Sequence, residues 1–221
     1  MVTTVILVLN LINVIINSSN IFPIPCPLLT SSAPAMSSMA LTAGKTNVSI
    51  GIYFDAGGMK VVQREYVMDA RLPSETDFLS FLAALGSEGL VHSPGRWSYS
   101  THNDLVTIIN PYEDIVNRDL VDKSALYMVY KQTWGALQRL FMNNRLILAD
   151  LHEDNLIVCA AEGTVCLIVI DGKLAGPTTD PSIARRRLRT KLHYAEHPYH
   201  KWLLQEYLAL IEDSANFNHT W

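Results

Sequence analysis

The chain has 221 residues, 49% of them hydrophobic, and a formal net charge of −4, which suits one domain with a buried core and excludes a large multidomain enzyme. The slight negative charge provides no general basic surface, so binding along a nucleic-acid backbone is not expected. Its three cysteines, Cys26, Cys159 and Cys166, fit neither a disulfide framework nor a zinc-binding spacing, which favours a reducing compartment and small core residues at Cys159 and Cys166.

Residues 1–40 are predicted to be an extension outside the folded domain. The stretch Val2–Ile16 is apolar, but two asparagines interrupt it, and about 20 apolar residues are needed to span a bilayer. No Lys or Arg precedes Lys45, which argues against a secretory signal peptide. Residues 17–40 are rich in Ser, Pro, Ala and Asn and indicate a linker. We therefore predict a cytoplasmic protein with no stable membrane span; the alternative is export or membrane association through the apolar amino terminus.

Residues 41–114 are predicted to form a lobe of strands with one helix. Apolar residues alternate with smaller or polar ones on both sides of the turn Asp55–Gly58, which indicates a hairpin. Ser74 has the character of a helix N-cap, with Asp77 three residues later. The predicted elements are strands at 48–54, 60–67 and 104–110 and a helix from Ser74 to Gly86.

Residues 115–221 are predicted to form a second lobe. A long amphipathic helix is followed by a polar loop, by two apolar strands with the turn Glu162–Gly163 between them, and by a helical tail. This order of elements predicts an α+β fold, because it does not repeat the βαβ pattern of a parallel sheet. The predicted elements are helices at 123–143 and 198–211 and strands at 156–159 and 165–170.

Two groups of polar residues in the second lobe are interpreted as surface features. His193, His197 and His200 are closely spaced, but Pro198 breaks the helix between them, which favours a surface position over a metal site. The basic cluster Arg185–Arg189 is interpreted as a solvated helix face, with contact to an anionic ligand or a membrane surface as the alternative.

The polar loop contains the candidate catalytic residues of the predicted second lobe. Asp150 opens the run Asp-Leu-His-Glu-Asp-Asn, which ends at Asn155, and Asp171 follows the second apolar strand. Two carboxylates and a carboxamide thus stand at the ends of one hairpin. Phosphoryl transfer needs such a set, because a carboxylate orients the attacking hydroxyl while hard oxygen ligands hold Mg²⁺ against the phosphates.

The sequence Asp-Leu-His-x-x-Asn with the later Asp171 resembles the kinase-like superfamily, in its small-molecule branch of aminoglycoside and choline kinases. The run Leu137–Leu146 and the short tail are similar to the compact bacterial YrbL family, and Ile170–Lys173 is similar to a motif of lipopolysaccharide-core kinases. The resemblance implies a two-lobed protein-kinase-like fold with a reduced carboxyl-terminal lobe. It implies Asp150 as the catalytic base and Asn155 and Asp171 as Mg²⁺ ligands. We place His152 with Asp150 among the catalytic residues; a role in ordering the loop is favoured over metal ligation, because no second His stands at metal-binding spacing.

In the amino-terminal lobe the resemblance implies a nucleotide site. Gly44 would belong to a degenerate phosphate-covering loop. Glu75, at the head of the predicted helix, matches the glutamate that pairs with a phosphate-binding lysine in these kinases. The position of that lysine stays open, with Lys60 and Arg64 as candidates on the second strand.

Together these features predict an ATP- and Mg²⁺-dependent phosphotransferase that acts on a hydroxyl of a small molecule or glycan. The alternative is a pseudokinase, a nucleotide-binding or scaffold module without turnover; a third hypothesis is a degraded reading frame that keeps only a carboxyl-terminal kinase lobe. The predicted organisation is an extension at 1–40, a nucleotide-binding lobe at 41–114 and a catalytic lobe at 115–221. The sequence does not identify the acceptor or the oligomeric state.

Overall fold

A computed structural model describes residues 47–68, 72–161 and 164–217, all within the unit Ser38–Trp221. The predicted extension 1–40, Gly44 and the turn Glu162–Gly163 lie outside the described residues. None of the described helices is both long and apolar enough to cross a membrane.

The described chain is a mixed α/β structure with one four-stranded antiparallel sheet, two small two-stranded ladders and four helices. The strands are β1 (Asn47–Phe54), β2 (Lys60–Val67), β3 (Ser98–His102), β4 (Leu105–Pro111), β5 (Ile147–Leu148), β6 (Leu156–Ala161), β7 (Thr164–Val169) and β8 (Pro177–Thr178). The helices are α1 (Glu75–Ser87), α2 (Lys123–Asn144), α3 (Pro181–Tyr194) and α4 (Pro198–Phe217), with short 3₁₀ turns at Pro94–Arg96 and Arg118–Leu120.

The four-stranded sheet has the order β1-β2-β4-β3. Its first hairpin is confirmed: Asp55 Oδ1 accepts hydrogen bonds of 2.9 Å from the backbone N–H groups of Gly57 and Met59 and so closes the turn. The strand β3 was not predicted, since hydroxyl-bearing residues give it no apolar alternation. Its turn residues Asn103 and Asp104 both have positive φ, of 46° and 60°, which suits a tight hairpin.

The helix α1 packs its apolar side against the sheet region. As predicted, Ser74 is its N-cap: the side chain accepts from the N–H of Asp77 at 3.2 Å. Phe78 is fully buried and its ring lies 5.2 Å from that of Tyr99 on β3. The helix is thereby fixed to one face of the sheet.

The helices α2 and α4 supply much of the core within residues 115–217. The side chain of Asp122 caps α2, and the predicted apolar face of this helix is buried. Tyr207 of α4 is buried between α2 and β5; its ring meets Trp134 edge-on, and its hydroxyl accepts from the N–H of Leu148 at 3.1 Å. This packing holds β5 immediately before the polar loop.

The predicted surface position is confirmed for His193, which is exposed, but it is wrong for His200 and only partly right for His197. Pro198 does separate two helices, since α3 ends at Tyr194 and α4 begins at Pro198. His200 is nevertheless fully buried and His197 is partly buried, because the linker between α3 and α4 turns the start of α4 inward against Tyr130, whose ring stacks on that of His197 at 5.7 Å.

Candidate active site

The polar loop begins where β5 ends and is held there by backbone hydrogen bonds. The N–H groups of Ala149 and Asp150 donate to the carbonyls of Gly176 and Ala175, at 3.1 and 2.9 Å. These bonds extend the β5–β8 pairing up to Asp150. The Asp150 side chain is 38% exposed, so the backbone fixes the position of a carboxylate that solvent can reach.

Asn155 connects the loop to the hairpin of β6 and β7. Its Nδ2 donates to the carbonyl of Asp150 at 2.9 Å, and its own carbonyl accepts from the N–H of Ile170 at 3.1 Å. Asp171 is the next residue along the chain, so the three predicted groups meet at the open end of one hairpin. Within the described chain, no hydrogen bond engages Asn155 Oδ1.

The Asp171 carboxyl sits inside a tight turn. Its Oδ2 accepts from the N–H of Ala175 at 2.9 Å. Burial raises the pKa of Asp171; hydrogen bonds from the Lys173 and Ala175 N–H groups and the charge of Arg64 act against that rise, and the charge of Asp150 adds to it. The effect of the Asp150 charge on Asp171 places the two carboxyl groups in one small site.

Of the two basic candidates on β2, the structure places Arg64 beside Asp171. Arg64 is 8% exposed and donates to Asn110 Oδ1 on β4. Burial lowers the pKa of Arg64, while Tyr66 and Asp171 raise it. Lys60 lies at the exposed start of the strand, with Nζ 5.2 Å from the ring centroid of Tyr112.

Glu75 and His152 do not join this group. Glu75 is exposed in the first turn of α1, and within the described residues no ion pair links it to Arg64 or Lys60. His152 Nδ1 accepts from the N–H of Asp154 at 3.3 Å, a contact that orders the loop.

Lys191 is a site residue that sequence reasoning missed. It projects from α3, and its Nζ lies 2.6 Å from Asp150 Oδ1. Arg187, one helical turn earlier, also lies close to Asp150, since a Cβ on Gly176 would be 3.0 Å from Asp150 Cβ and 3.6 Å from Arg187 Nη1. The basic cluster Arg185–Arg189 lies on the same helix but does not show which side of α3 faces the site, since Arg189 on another side pairs with Glu212 at 2.7 Å.

The strand β2 covers the Asp171 turn closely. A Cβ on Gly172 would collide with the Tyr66 hydroxyl and lie 3.1 Å from Arg64 Cδ, so only glycine permits this approach. Lys173 Nζ lies 5.3 Å from the centroid of the Tyr66 ring, and burial, the largest influence, raises the pKa of Tyr66. The sheet and the hairpin therefore share one packed junction at Asp171.

A second cluster of polar residues, centred on Arg118 and Glu153, fixes the polar loop to neighbouring segments. Arg118 donates to Glu153 Oε2 at 2.9 Å and to the carbonyls of Glu153 and Leu156. Glu153 Oε1 accepts from the N–H groups of Glu196 and His197, at 3.0 and 2.9 Å. The loop is thus tied both to the 3₁₀ turn at Arg118–Leu120 and to the linker between α3 and α4.

A cavity of about 430 Å³ lies elsewhere, between α1 and the end of α2. Its lining holds no titratable side chain, so it offers no general acid or base. The lining residues are Ser80, Phe81, Ala83, Ala84, Ser87, Asn144, Leu146 and Thr179.

No protein-family model matches the sequence, and no curated protein matches it. Among solved structures, the chain is similar to one titled "Crystal structure of BubR1 kinase domain", with 14% sequence identity and a TM-score of 0.44 over 66% of this chain and 49% of that one. The chain spans about half the length of that domain. A likeness at this level assigns neither a family nor an activity, and the narrower resemblance to the YrbL family receives no support from these comparisons.

Proposed function

We propose that the chain adopts a two-lobed, protein-kinase-like fold with a reduced carboxyl-terminal lobe and transfers a phosphoryl group from ATP to a hydroxyl of a small molecule or glycan. The observation that carries this proposal is the bond from Asn155 Nδ2 to the Asp150 carbonyl, next to the strand pairing that leads into Asp171. These two contacts bring the carboxyl groups of Asp150 and Asp171 and the side-chain amide of Asn155 together at one end of the hairpin. Lys191 contacts Asp150, and the charge of Arg64 acts on Asp171.

Each side chain has a role that suits its position. Asp150 is the partly exposed carboxylate and would orient the acceptor hydroxyl and take its proton. Asn155 Oδ1 and the Asp171 carboxylate are hard oxygen donors of the kind that Mg²⁺ prefers, so the residues present fit this ion. When bound, Mg²⁺ would offset the charge of the transferring phosphates.

Two cations are available for phosphate oxygens. Arg64 is buried beside Asp171 and has the rigid guanidinium geometry that suits an anion with several oxygens. Lys191 pairs with Asp150 and would exchange this carboxylate for a phosphate oxygen when the acceptor engages Asp150.

A nucleotide-binding module without turnover is the second candidate. The 2.6 Å contact between Lys191 Nζ and Asp150 Oδ1 favours it, because the ammonium group occupies an oxygen that would otherwise accept the proton of the hydroxyl. The separation of Glu75 from both basic candidates favours it as well. The two candidates share the Mg²⁺ ligands and differ in what Asp150 does.

The test uses the full chain with ATP and Mg²⁺. We expect Mg²⁺-dependent ATP to raise the melting temperature of the wild type, and Asp171→Ala to abolish the rise. Asp150→Asn should keep the rise but lose phosphoryl transfer to water or to hydroxyl acceptors by roughly 10²–10⁴-fold. Asp154→Asn is the matched control, since this carboxylate of the same loop is 95% exposed, and it should change neither result.

The outcomes separate the candidates. If the wild type binds ATP in a way that depends on Asp171 but transfers no phosphoryl group, the nucleotide-binding module without turnover is supported. A wild type that ATP and Mg²⁺ do not stabilise contradicts both.

A further inference from the structure

A second group of ligand atoms lies at the other end of the β6–β7 hairpin. The Sγ atoms of Cys159 and Cys166 are 3.1 Å apart, and Cys166 Sγ is 3.3 Å from His92 Nε2. The three ligand atoms all lie within 4.8 Å of one another. Glu113 Oε2 is 3.1 Å from the other ring nitrogen of His92, Nδ1.

Strand pairing creates this cluster. Cys159 of β6 lies directly opposite Cys166 of β7 in the register, so both side chains leave the same face of the hairpin. His92 comes from the loop between α1 and β3, and Glu113 comes from the segment after β4. Three separate parts of the chain thus direct sulfur, nitrogen and carboxylate atoms to one point.

From this geometry we infer that Cys159, Cys166 and His92 bind a zinc-class divalent cation. Two thiolates and an imidazole nitrogen are ligands that Zn²⁺ favours, and two thiolates neutralise its charge. Each thiol would release its proton to solvent on binding. Three protein ligands leave a fourth tetrahedral position for water.

Glu113 completes the arrangement from outside the ligand shell. A carboxylate on Nδ1 fixes the tautomer that leaves Nε2 free to bind a metal. The Glu113 side chain is 16% exposed and that of His92 is 26% exposed, so the pair is sheltered and still open to an entering ion.

The distances require only a small adjustment. A tetrahedral Zn²⁺ with bonds of about 2.3 Å to sulfur sets two sulfurs roughly 3.8 Å apart. The Sγ atoms would therefore separate by some tenths of an ångström, which rotation about χ1 provides. In the absence of a cation, burial raises the pKa of both thiols, so this environment does not suit a reactive nucleophile.

This site is separate from the candidate active site. Cys159 lies four residues along β6 from Asn155, or roughly 13 Å at the rise of a strand. A bound cation would join the loop that holds His92 to the hairpin that holds Asn155 and Asp171. It would therefore stabilise the junction between the first sheet and the hairpin without contacting the groups proposed for phosphoryl transfer.

The test is metal binding by the full chain, purified under reducing conditions, stripped with a chelator and titrated with Zn²⁺ or Co²⁺. We expect one equivalent of zinc to bind. Co²⁺ should give thiolate-to-metal charge-transfer absorption and the strong visible bands of tetrahedral cobalt. Cys166→Ser should abolish the charge-transfer signal and most of the binding, and Glu113→Gln should weaken affinity about 10- to 100-fold.

Cys26→Ser is the control, because Cys26 is the third cysteine of the chain and the proposed ligand set does not include it; it should leave one equivalent bound. Cys166→Ala, examined by circular dichroism with the chelator present, checks that loss of binding is not loss of the fold. The inference is overturned if the reduced wild type binds no more metal than the variant that lacks both Cys159 and Cys166. It is equally overturned if these cysteines form a disulfide under mild oxidation while the reduced protein gives no tetrahedral cobalt spectrum.

Discussion

His200 is a buried histidine whose one hydrogen bond reaches the candidate active site. A carbonyl only accepts, so His200 Nε2 carries the proton and donates to the Leu151 carbonyl at 3.2 Å. Its Nδ1 is buried without a partner in the described structure, as are the Tyr130 hydroxyl and His197 Nδ1 near it. His200 therefore supports the backbone between Asp150 and His152 in its neutral form.

The neutral state of His200 predicts acid sensitivity. Burial, the largest influence, lowers the pKa of His200 from 6.5 to about 4, although its bond to Leu151 and the charge of Glu153 oppose this. Between these values the unfolded chain binds a proton that the native protein does not, so the free energy of unfolding falls as pH falls from 6.5 to 4. Over this whole pH interval, the titration of His200 lowers the free energy of unfolding by an amount on the order of 3 kcal/mol.

We expect His200→Gln, which keeps a donor near the Leu151 carbonyl, to be less stable than the wild type at pH 7 and to lose less stability on acidification. Urea unfolding at several pH values measures this. His193→Gln, at an exposed histidine of α3, should keep the acid sensitivity of the wild type. Parallel pH profiles for the wild type and His200→Gln would contradict the prediction.

At the scale of elements, local patterns predicted most of the longer elements, but they missed the strand β3 and the bounds of the helix α3 for different reasons. The first hairpin, α1 and α2 each carry their own periodicity and turn or cap residues, so they were predicted almost to the residue. The strand β3 has no apolar alternation. The helix α3 buries only Ala184 and Leu188, so it lacks a broad apolar face; the sequence indicated it only as a basic helix face at Arg185–Arg189, without its bounds.

The helix α3 depends on its cap because its buried face is small. Asp180 Oδ1 accepts from the N–H groups of Ser182 and Ile183, at 2.7 and 3.3 Å, and Pro181 opens the first turn. We expect Asp180→Ala to lower the free energy of unfolding by about 1 kcal/mol, measured by chemical denaturation. Asp180→Asn keeps the capping oxygen and should cost much less; equal losses in the two variants would show that the cap is not what stabilises α3.

At the scale of the whole molecule, the sequence predicted the core of the candidate site and not its surroundings. Asp150, Asn155 and Asp171 lie on one hairpin, so short-range reasoning placed them together. Lys191 reaches Asp150 only through the packing of α3, which no local pattern encodes. The cluster of His92 with Cys159 and Cys166 was missed for the same reason: the spacing of cysteines along the chain does not show which residues face each other across a hairpin.

The Glu153 carboxylate connects three distant parts of the molecule: the 3₁₀ turn that holds Arg118, the polar loop and the linker before α4. Burial acts to raise the pKa of Glu153, but bonds from the His197 and Glu196 N–H groups and the charges of His200 and Arg118 lower it below its ordinary 4.5. The stability that Glu153 contributes is therefore present above pH 4.5 and is lost as pH falls through the lowered value.

We expect Glu153→Gln to lower the free energy of unfolding at pH 7 by roughly 1–3 kcal/mol, because an amide replaces a charged acceptor of three hydrogen bonds. The gap between wild type and variant should narrow as pH falls below 4.5, since the wild-type carboxylate is then neutralised as well. Chemical denaturation at pH 7 and at successively lower pH measures the gap, with Glu206→Gln, at an exposed carboxylate of α4, as the control. If the difference in the free energy of unfolding stays constant until Glu153 is fully protonated, the size and shape of this side chain, and not its charge, stabilise the contact between these segments.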